Sequence, residues 1–314
     1  MSILQNIKRG VVARPQRVII YGPEGVGKST LASGFPSPLF VDTEAGTAHI
    51  DVNRVLVGSL AEIDSLVDEL CSTKHEFKTF VLDTIDWAEG LIVDAVVAGE
   101  NSPKVNSIED FGYGKGYVLV GKRAGDFLRN LNRLMEIGMN VVFLAHSRRV
   151  KFEQPESVGT YDKYELKLTK NVAPLVKEWA DALLFMNFRV VIKDGKGQGG
   201  NERVLYTSPQ APWEAKNRHN LPEVMAVDAA ELSRLVFGDS ASSARGSEPL
   251  GQKKAESIGE QLAFFAGVPG VIEFLVARGQ LKPGQGLDDV PAEYAKRMLA
   301  NSQKFIASVE GGAK

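Results

Sequence analysis

Four short apolar runs, each ending on a polar or glycine tip, set the rhythm of the first half of this chain. Arg17-Val18-Ile19-Ile20-Tyr21 stops at Gly22, and Pro38-Leu39-Phe40-Val41 stops at Asp42-Thr43-Glu44. Thr79-Phe80-Val81-Leu82 stops at Asp83, and Asn140-Val141-Val142-Phe143-Leu144-Ala145 stops at His146. Continuous apolar runs of this length, without alternation, predict strands buried on both faces, as in a parallel sheet. Between them the period changes to that of a helix. Residues 60–70 put Ile63, Leu66, Val67 and Leu70 on one face, and 86–98 do the same with Trp87, Leu91, Ile92, Ala95 and Val96. A long helix is predicted over roughly 118–137 and a shorter one from Val172 to Ala180. Asp181 to Lys193 and Arg203 to Ser208 read as a hairpin across the glycine-rich turn 195–200. Asp228 with Glu231 forms a capping box for a helix ending at Phe237-Gly238. Strands alternating with helices predict an α/β fold with a mostly parallel central sheet flanked by helices.

The pattern also divides the chain. Residues 1–16 form a short basic tail with Lys8, Arg9 and Arg14, and 17–238 carry the α/β core. Residues 239–256 are rich in Ser, Ala, Gly and Pro and read as a flexible linker. Residues 257–314 hold short helical patterns (Leu262 to Gly267, Val271 to Ala277, Ala292 to Ala300, Phe305 to Val309) and predict a small helical module. Two stretches inside the core break the pattern. Residues 99–117 include Phe111-Gly112-Tyr113-Gly114-Lys115-Gly116-Tyr117, either a platform on which unpaired bases stack or a hinge whose aromatics pack on the core. Residues 147–170 read as a polar connection without structure of its own, a length that points to function or disorder. Six basic residues (Arg148, Arg149, Lys151, Lys163, Lys167, Lys170) stand there against four acids.

Composition narrows the classes. The 314 residues are 44% hydrophobic and 24% charged, ordinary for a globular protein, and the net charge of −2 excludes a global field that attracts nucleic acid or membrane. The lone Cys71 excludes an intramolecular disulfide. No apolar run reaches the ~20 residues that span a bilayer, and no signal-peptide core precedes Lys8, so a cytoplasmic protein is expected, of a bacterial host if phage-encoded.

The candidate chemistry begins at Gly22-Pro23-Glu24-Gly25-Val26-Gly27-Lys28-Ser29-Thr30, which fits the phosphate-loop spacing between a predicted strand and a predicted helix. Its glycines admit a polyphosphate to the backbone N–H groups. Lys28 would neutralise the β- and γ-phosphates, while Ser29 and Asp83 would hold Mg²⁺. Thr84, not an acid, follows Asp83, so the catalytic base must come from elsewhere. Glu44 on the neighbouring strand tip is the candidate, the alternative being that it caps the turn with Gly46. His146 is a candidate γ-phosphate sensor or a satisfied strand-end histidine.

These pieces together resemble the RecA-like ATPases, and are most similar to the phage family of core-only RecA relatives that act as single-strand annealing recombinases. The resemblance covers about Arg17 to Glu223. It rests on Gly22 to Thr30, Val41-Asp42-Thr43-Glu44, Phe80 to Thr84, His146 before a long loop, and Lys216-Asn217-Arg218 after the hairpin. It implies that Glu44 is the catalytic carboxylate and that Lys216 and Arg218 reach a neighbouring subunit's ATP. The two loops would hold single-stranded DNA, through Phe111, Tyr113 and Lys115 in the first and Arg148, Arg149, Lys151 and Lys163 in the second. The sequence departs from RecA at His146, where RecA has a glutamine, and lacks RecA's N-terminal oligomerisation segment. The expected function is ATP-dependent single-stranded-DNA binding and annealing by a homo-oligomer, ring or filament, using ATP and Mg²⁺. The C-terminal module is a candidate dock for a protein such as a single-stranded-DNA-binding protein, and no membrane partner is expected. The rivals are a ring-forming helicase or packaging motor and a nucleotide-gated scaffold with little hydrolysis.

Overall fold

In the computed structural model, strand β1 (Arg17–Gly22) lies at the centre of the sheet with both faces covered. The structure describes residues 10, 14–100, 102–153, 160–193 and 196–238, and in the tail 271–282, 285–291, 294–295 and 309. After β1 come α1 (Lys28–Ser33), β2 (Pro38–Asp42), β3 (Asn53–Leu56), α2 (Leu60–Ser72), β4 (Thr79–Asp83), α3 (Ile85–Ala98) and α4 (Lys115–Glu136). Then follow β5 (Asn140–Glu153), β6 (Thr160–Leu166), α5 (Ala173–Trp179), β7 (Ala182–Lys193), β8 (Lys196–Tyr206), β9 (Lys216–Asn217), β10 (Val224–Ala226) and α6 (Ala229–Phe237). The sheet order is β10-β8-β7-β1-β5-β4-β2-β3, and the run from β7 to β3 is parallel throughout. This is the expected α/β core, a mostly parallel central sheet flanked by helices.

Period-two alternation explains why the apolar runs carry no polar face. Val18 and Ile20 point to one side, where they pack with Leu31 and Ala32 of α1 and Leu232 and Val236 of α6. Ile19 and Tyr21 point to the other, against α2, α3, α4 and α5. Each strand therefore needs apolar residues at every position.

Register brings the polar tips level. Gly22 lies opposite His146, Asp42 opposite Asp83, and Asp83 opposite Leu144. In an open parallel sheet this C-terminal edge is where ligands bind.

The structure corrects several expectations. Residues 147–170 are not structureless: β5 continues to Glu153 and pairs antiparallel with β6, from Ser147↔Leu166 to Glu153↔Thr160. Ladder hydrogen bonds satisfy its backbone, and cross-strand pairs such as Arg148↔Glu165 replace an apolar stripe, so no hydrophobic period marks it. Residues 154–159 lie outside the described residues. The long helix starts at Lys115, so the residue expected in the aromatic loop belongs to α4; Gly114, in the left-handed region at φ 71°, starts the helix. The basic face of α4 is tied to α2, with Arg123 on Asp64 and Arg133 on Asp68, both at 2.5 Å. Strand β3 was not foreseen, because four mostly exposed residues at a sheet edge carry little hydrophobic signal. Arg14, expected in a solvated tail, donates to Asp181 at 2.9 Å.

The chain divides into two compact units, Met1–Arg245 and Gly246–Lys314. The second has its own apolar cluster: Val271 and Leu275 of α7 (Val271–Ala277) with Leu281, Val290, Ala295 and Val309. The expected linker 239–256 and the helical pattern Leu262 to Gly267 lie outside the described residues, as do Lys8 and Arg9. Among the described residues no helix is long and apolar enough to cross a membrane.

Candidate functional site

The loop after β1 is shaped by two glycines with different jobs. A Cβ on Gly22 would stand 2.1 Å from the Met186 carbonyl oxygen, so only glycine lets β1 run this close to β7. Gly27 has φ 101°, a left-handed conformation that costs a glycine little, and it starts α1. Val26 turns its side chain into the core, which anchors the loop and leaves its backbone facing outward. The other loop positions, Pro23, Glu24 and Gly25, border this turn.

A cleft of about 260 Å³ opens above the loop. Gly25, Gly27, Lys28, Ser29 and Thr30 form its floor, and Glu44, Asp83 and His146 come to it from three further strand tips. The buried Lys28 Nζ donates to the carbonyls of Gly22 at 3.2 Å and Pro23 at 3.0 Å. Burial lowers its pKa, while Asp83, Asp86, Glu44 and Glu24 oppose that shift.

Ser29 Oγ donates to Asp83 Oδ2 at 2.6 Å, which joins the loop to the tip of β4. A hydroxyl and a carboxylate so close are hard oxygen donors of the kind Mg²⁺ takes, so the residues present fit that ion. Burial raises the Asp83 pKa, with Asp42 adding to the effect and Ser29 and Lys28 opposing it. A cation at this position would relieve that cost.

Asp42 and Glu44 part company. The Asp42 carboxylate accepts from the N–H groups of Glu44, Gly46 and Thr47 and from the Thr47 hydroxyl. Asp42 is therefore the turn's cap. The turn so fixed presents Glu44 to the cleft, its carboxylate lying across Gly46. Burial raises the Glu44 pKa, His146 opposes this, and the neighbouring acids Asp83, Asp86 and Asp42 add to it. A half-buried carboxylate with elevated basicity beside a phosphate loop has the character of a general base.

His146 is held by Asp86 of α3. Its backbone N–H donates to Oδ1 at 3.0 Å, and ring Nδ1 lies 2.8 Å from Oδ2. With the carboxylate ionised, Nδ1 carries the proton, which leaves Nε2 for other partners. Burial raises the Asp86 pKa, but the His146 bonds outweigh it and the net shift is downward.

Sequence reasoning missed Asp86, His49, Thr84 and Arg203, the last three of which line the cleft. Thr84 was seen only as the absence of an acid. Arg203 stands far along the chain, on β8, and no local motif marks it.

The remaining candidates lie elsewhere. Lys216 Nζ donates to the carbonyls of Lys177, Glu178 and Ala180, where it caps the C-terminus of α5. Arg218 donates to Asp181, which also binds Arg14 and Arg17. Both sit at the start of β7, at the end of the sheet away from the cleft. Tyr113 is fully exposed with φ 50°, whereas Phe111 packs partly on the core. On the β5–β6 hairpin, Arg148 pairs with Glu165 at 3.7 Å, and Lys163 turns to Glu214 at 3.3 Å and over the Phe152 ring. Arg149 and Lys151 are exposed.

One matching solved structure is the flagellar accessory protein FlaH from Methanocaldococcus jannaschii, 14% identical, with a TM-score of 0.32 over 62% of this chain and 78% of that one. A search of curated proteins found no match. A family model described as "AAA domain" (AAA_24) matches residues 14–219, which take in the whole cleft from Gly22 to Arg203. The chain belongs to this family of AAA domains, and its core is a P-loop ATPase domain.

Proposed function

We propose that this protein is an ATP-dependent single-stranded-DNA binding and annealing protein of the phage recombinase type, in which nucleotide occupancy controls a DNA-binding hairpin. One observation carries the coupling. Strand β5 runs without interruption from the sheet core, through His146 in the cleft, into the hairpin that bears Arg149 and Lys151. A group that contacts the terminal phosphate through His146 acts on the first residues of that hairpin, and Asp86 fixes the ring against which it acts. Lys28 and the loop N–H groups would bind the triphosphate, and Glu44 would orient and deprotonate the attacking water. Mg²⁺ held by Ser29 and Asp83 would neutralise charge on the phosphate oxygens. Arg149, Lys151, Lys115 and Tyr113 are exposed groups available to DNA phosphates and bases. Assembly as a homo-oligomer belongs to the same reading, with Arg218 the candidate to reach a neighbour's ATP; the three carbonyls that engage Lys216 give that residue a structural task.

The test is single-strand binding with ATP, a slowly hydrolysed analogue and ADP. Lys28→Ala is expected to abolish the nucleotide-dependent part of DNA binding. Equal affinity with and without ATP, in both wild type and variant, refutes the coupling. Directional displacement of a strand from a tailed duplex would favour the motor reading instead.

A further inference from the structure

We propose that Arg203 is a phosphate-binding residue acting in cis, which clamps the diphosphate portion of a nucleoside di- or triphosphate from the side of the cleft opposite Ser29 and Asp83. The proposal rests on the nucleotide reading above and assigns a ligand-binding role to β8.

Register explains how an arginine from β8 reaches the loop. Tyr21 of β1 pairs with Phe185 of β7, so Met186 stands level with Gly22 and the rest of β7 runs past the tip of β1. Across the hairpin, Leu205 pairs with Met186 and Arg203 with Phe188. Period two puts Arg203 on the same face as Leu205 and Met186, which belong to the apolar layer beneath α1. Arg203 thus emerges one step beyond that layer, where the phosphate loop crosses. Its Nη1 lies 2.9 Å from the place a Gly27 Cβ would occupy, and the Met186 methyl is 3.6 Å from the same point. Phe188 flanks the guanidinium, 5.9 Å from its ring centroid.

The charge of Arg203 is available. No hydrogen bond or ion pair joins its side chain to another described residue, and the adjacent Glu202 pairs with Arg189 instead. The cleft is therefore polarised. Glu44, Asp83 and His146 arrive from β2, β4 and β5 on one side of β1, and Arg203 arrives from the β7–β8 side. A metal ion belongs on the carboxylate side, so the guanidinium faces the other flank of the phosphate chain. Gly27 is part of the backbone that cradles the α- and β-phosphates, whereas the loop lysine reaches the β- and γ-phosphates. Arg203, over Gly27, is placed for the phosphates that ATP and ADP share. That makes it a ground-state clamp and separates it from a group that stabilises only the transition state.

Titration of wild type, Arg203→Ala and Arg203→Lys with fluorescent ATP and ADP, alongside steady-state hydrolysis, tests this. Arg203→Ala is expected to weaken ATP and ADP alike, by roughly tenfold, as loss of a charge-assisted hydrogen bond does. KM should rise while kcat at saturating ATP holds, and Arg203→Lys should recover part of the affinity. Arg203 is exposed, so both variants should unfold at the wild-type midpoint. Unchanged ADP affinity overturns the proposal, as does a loss confined to kcat. Lys28→Ala separates the two levels: if wild type binds no nucleotide, or binds it equally without Lys28, the nucleotide reading fails. If Lys28→Ala loses binding and Arg203→Ala does not, only the clamp fails.

Discussion

Glu44 and Asp83 pull function and stability in opposite directions. Both carboxyls have pKa values raised by burial, so between the ordinary carboxylate range and the raised value the folded chain binds more protons than the unfolded one. Folding stability from these two groups therefore falls as pH rises through that window and stays reduced at neutral pH. Asp83→Asn is expected to raise the thermal midpoint of the nucleotide-free chain at pH 7 and to lose Mg²⁺-dependent nucleotide binding. The gain should shrink as pH falls toward the ordinary carboxylate range, because burial favours the protonated form of Asp83 in the folded chain. A melting series over pH that shows no difference between variant and wild type contradicts this. Glu44→Gln should instead keep nucleotide affinity while phosphate release drops by about 10²- to 10⁴-fold, the usual share of a general base. Of these two residues Asp83 was the more legible, since an apolar run ending in Asp downstream of a phosphate loop has few other readings. For Glu44 the choice between base and cap was open in the sequence. It is settled as far as the cap goes, because Asp42 takes the turn's N–H groups.

Helix α3 links the cleft to the hairpin at two points on one face. Asp86 holds His146 on the outgoing strand. One turn later the buried Glu89 accepts from the Thr169 N–H and hydroxyl, just after the returning strand ends. Spacing of three residues puts both carboxylates on the same side of the helix. Burial raises the Glu89 pKa, and the Thr169 bonds oppose it. Glu89→Ala would leave Thr169 unpaired, and is expected to cost about 1–3 kcal/mol and to speed amide exchange across residues 160–172. Exchange in β1 should stay slow; equal acceleration in β1 would mean global destabilisation and not release of the hairpin. None of this could be read from residues 86–98, where the apolar stripe alone explained the helix. The hairpin was equally hidden: charged cross-strand pairs give a strand no hydrophobic period.

At the scale of the whole chain, the core and the tail each enclose their own apolar cluster. A chain ending at Arg245 should fold cooperatively and bind nucleotide with wild-type affinity, measured by calorimetric unfolding and nucleotide titration. If truncation melts the core, the tail contributes to it directly. If DNA and nucleotide binding persist while a protein partner is lost, the tail is a docking module. Within the core, Asp181 gathers Arg14 and Arg17 from the start of the chain and Arg218 from far along it onto one buried carboxylate. The bonds to the carboxylate prevail over burial and keep its pKa low. That convergence ties Arg218 to the sheet end opposite the cleft, a placement no spacing in the sequence implies.

Local order along the chain was enough to determine the phosphate loop, the parallel sheet and the polar strand tips. Each depends on neighbours in sequence: a turn's glycines, an apolar run's length, the residue that ends it. What depends on register and crossover was decided only in three dimensions. The pairing of β7 and β8 brings Arg203 over Gly27, the turn after β2 gives its amides to Asp42 and frees Glu44, and α3 fastens both legs of a hairpin whose strands show no apolar stripe. The Asp42 turn closes within five residues, but the other contacts span tens to more than a hundred residues. At that separation the side chains carry no periodic signal, and only the packed sheet fixes who meets whom.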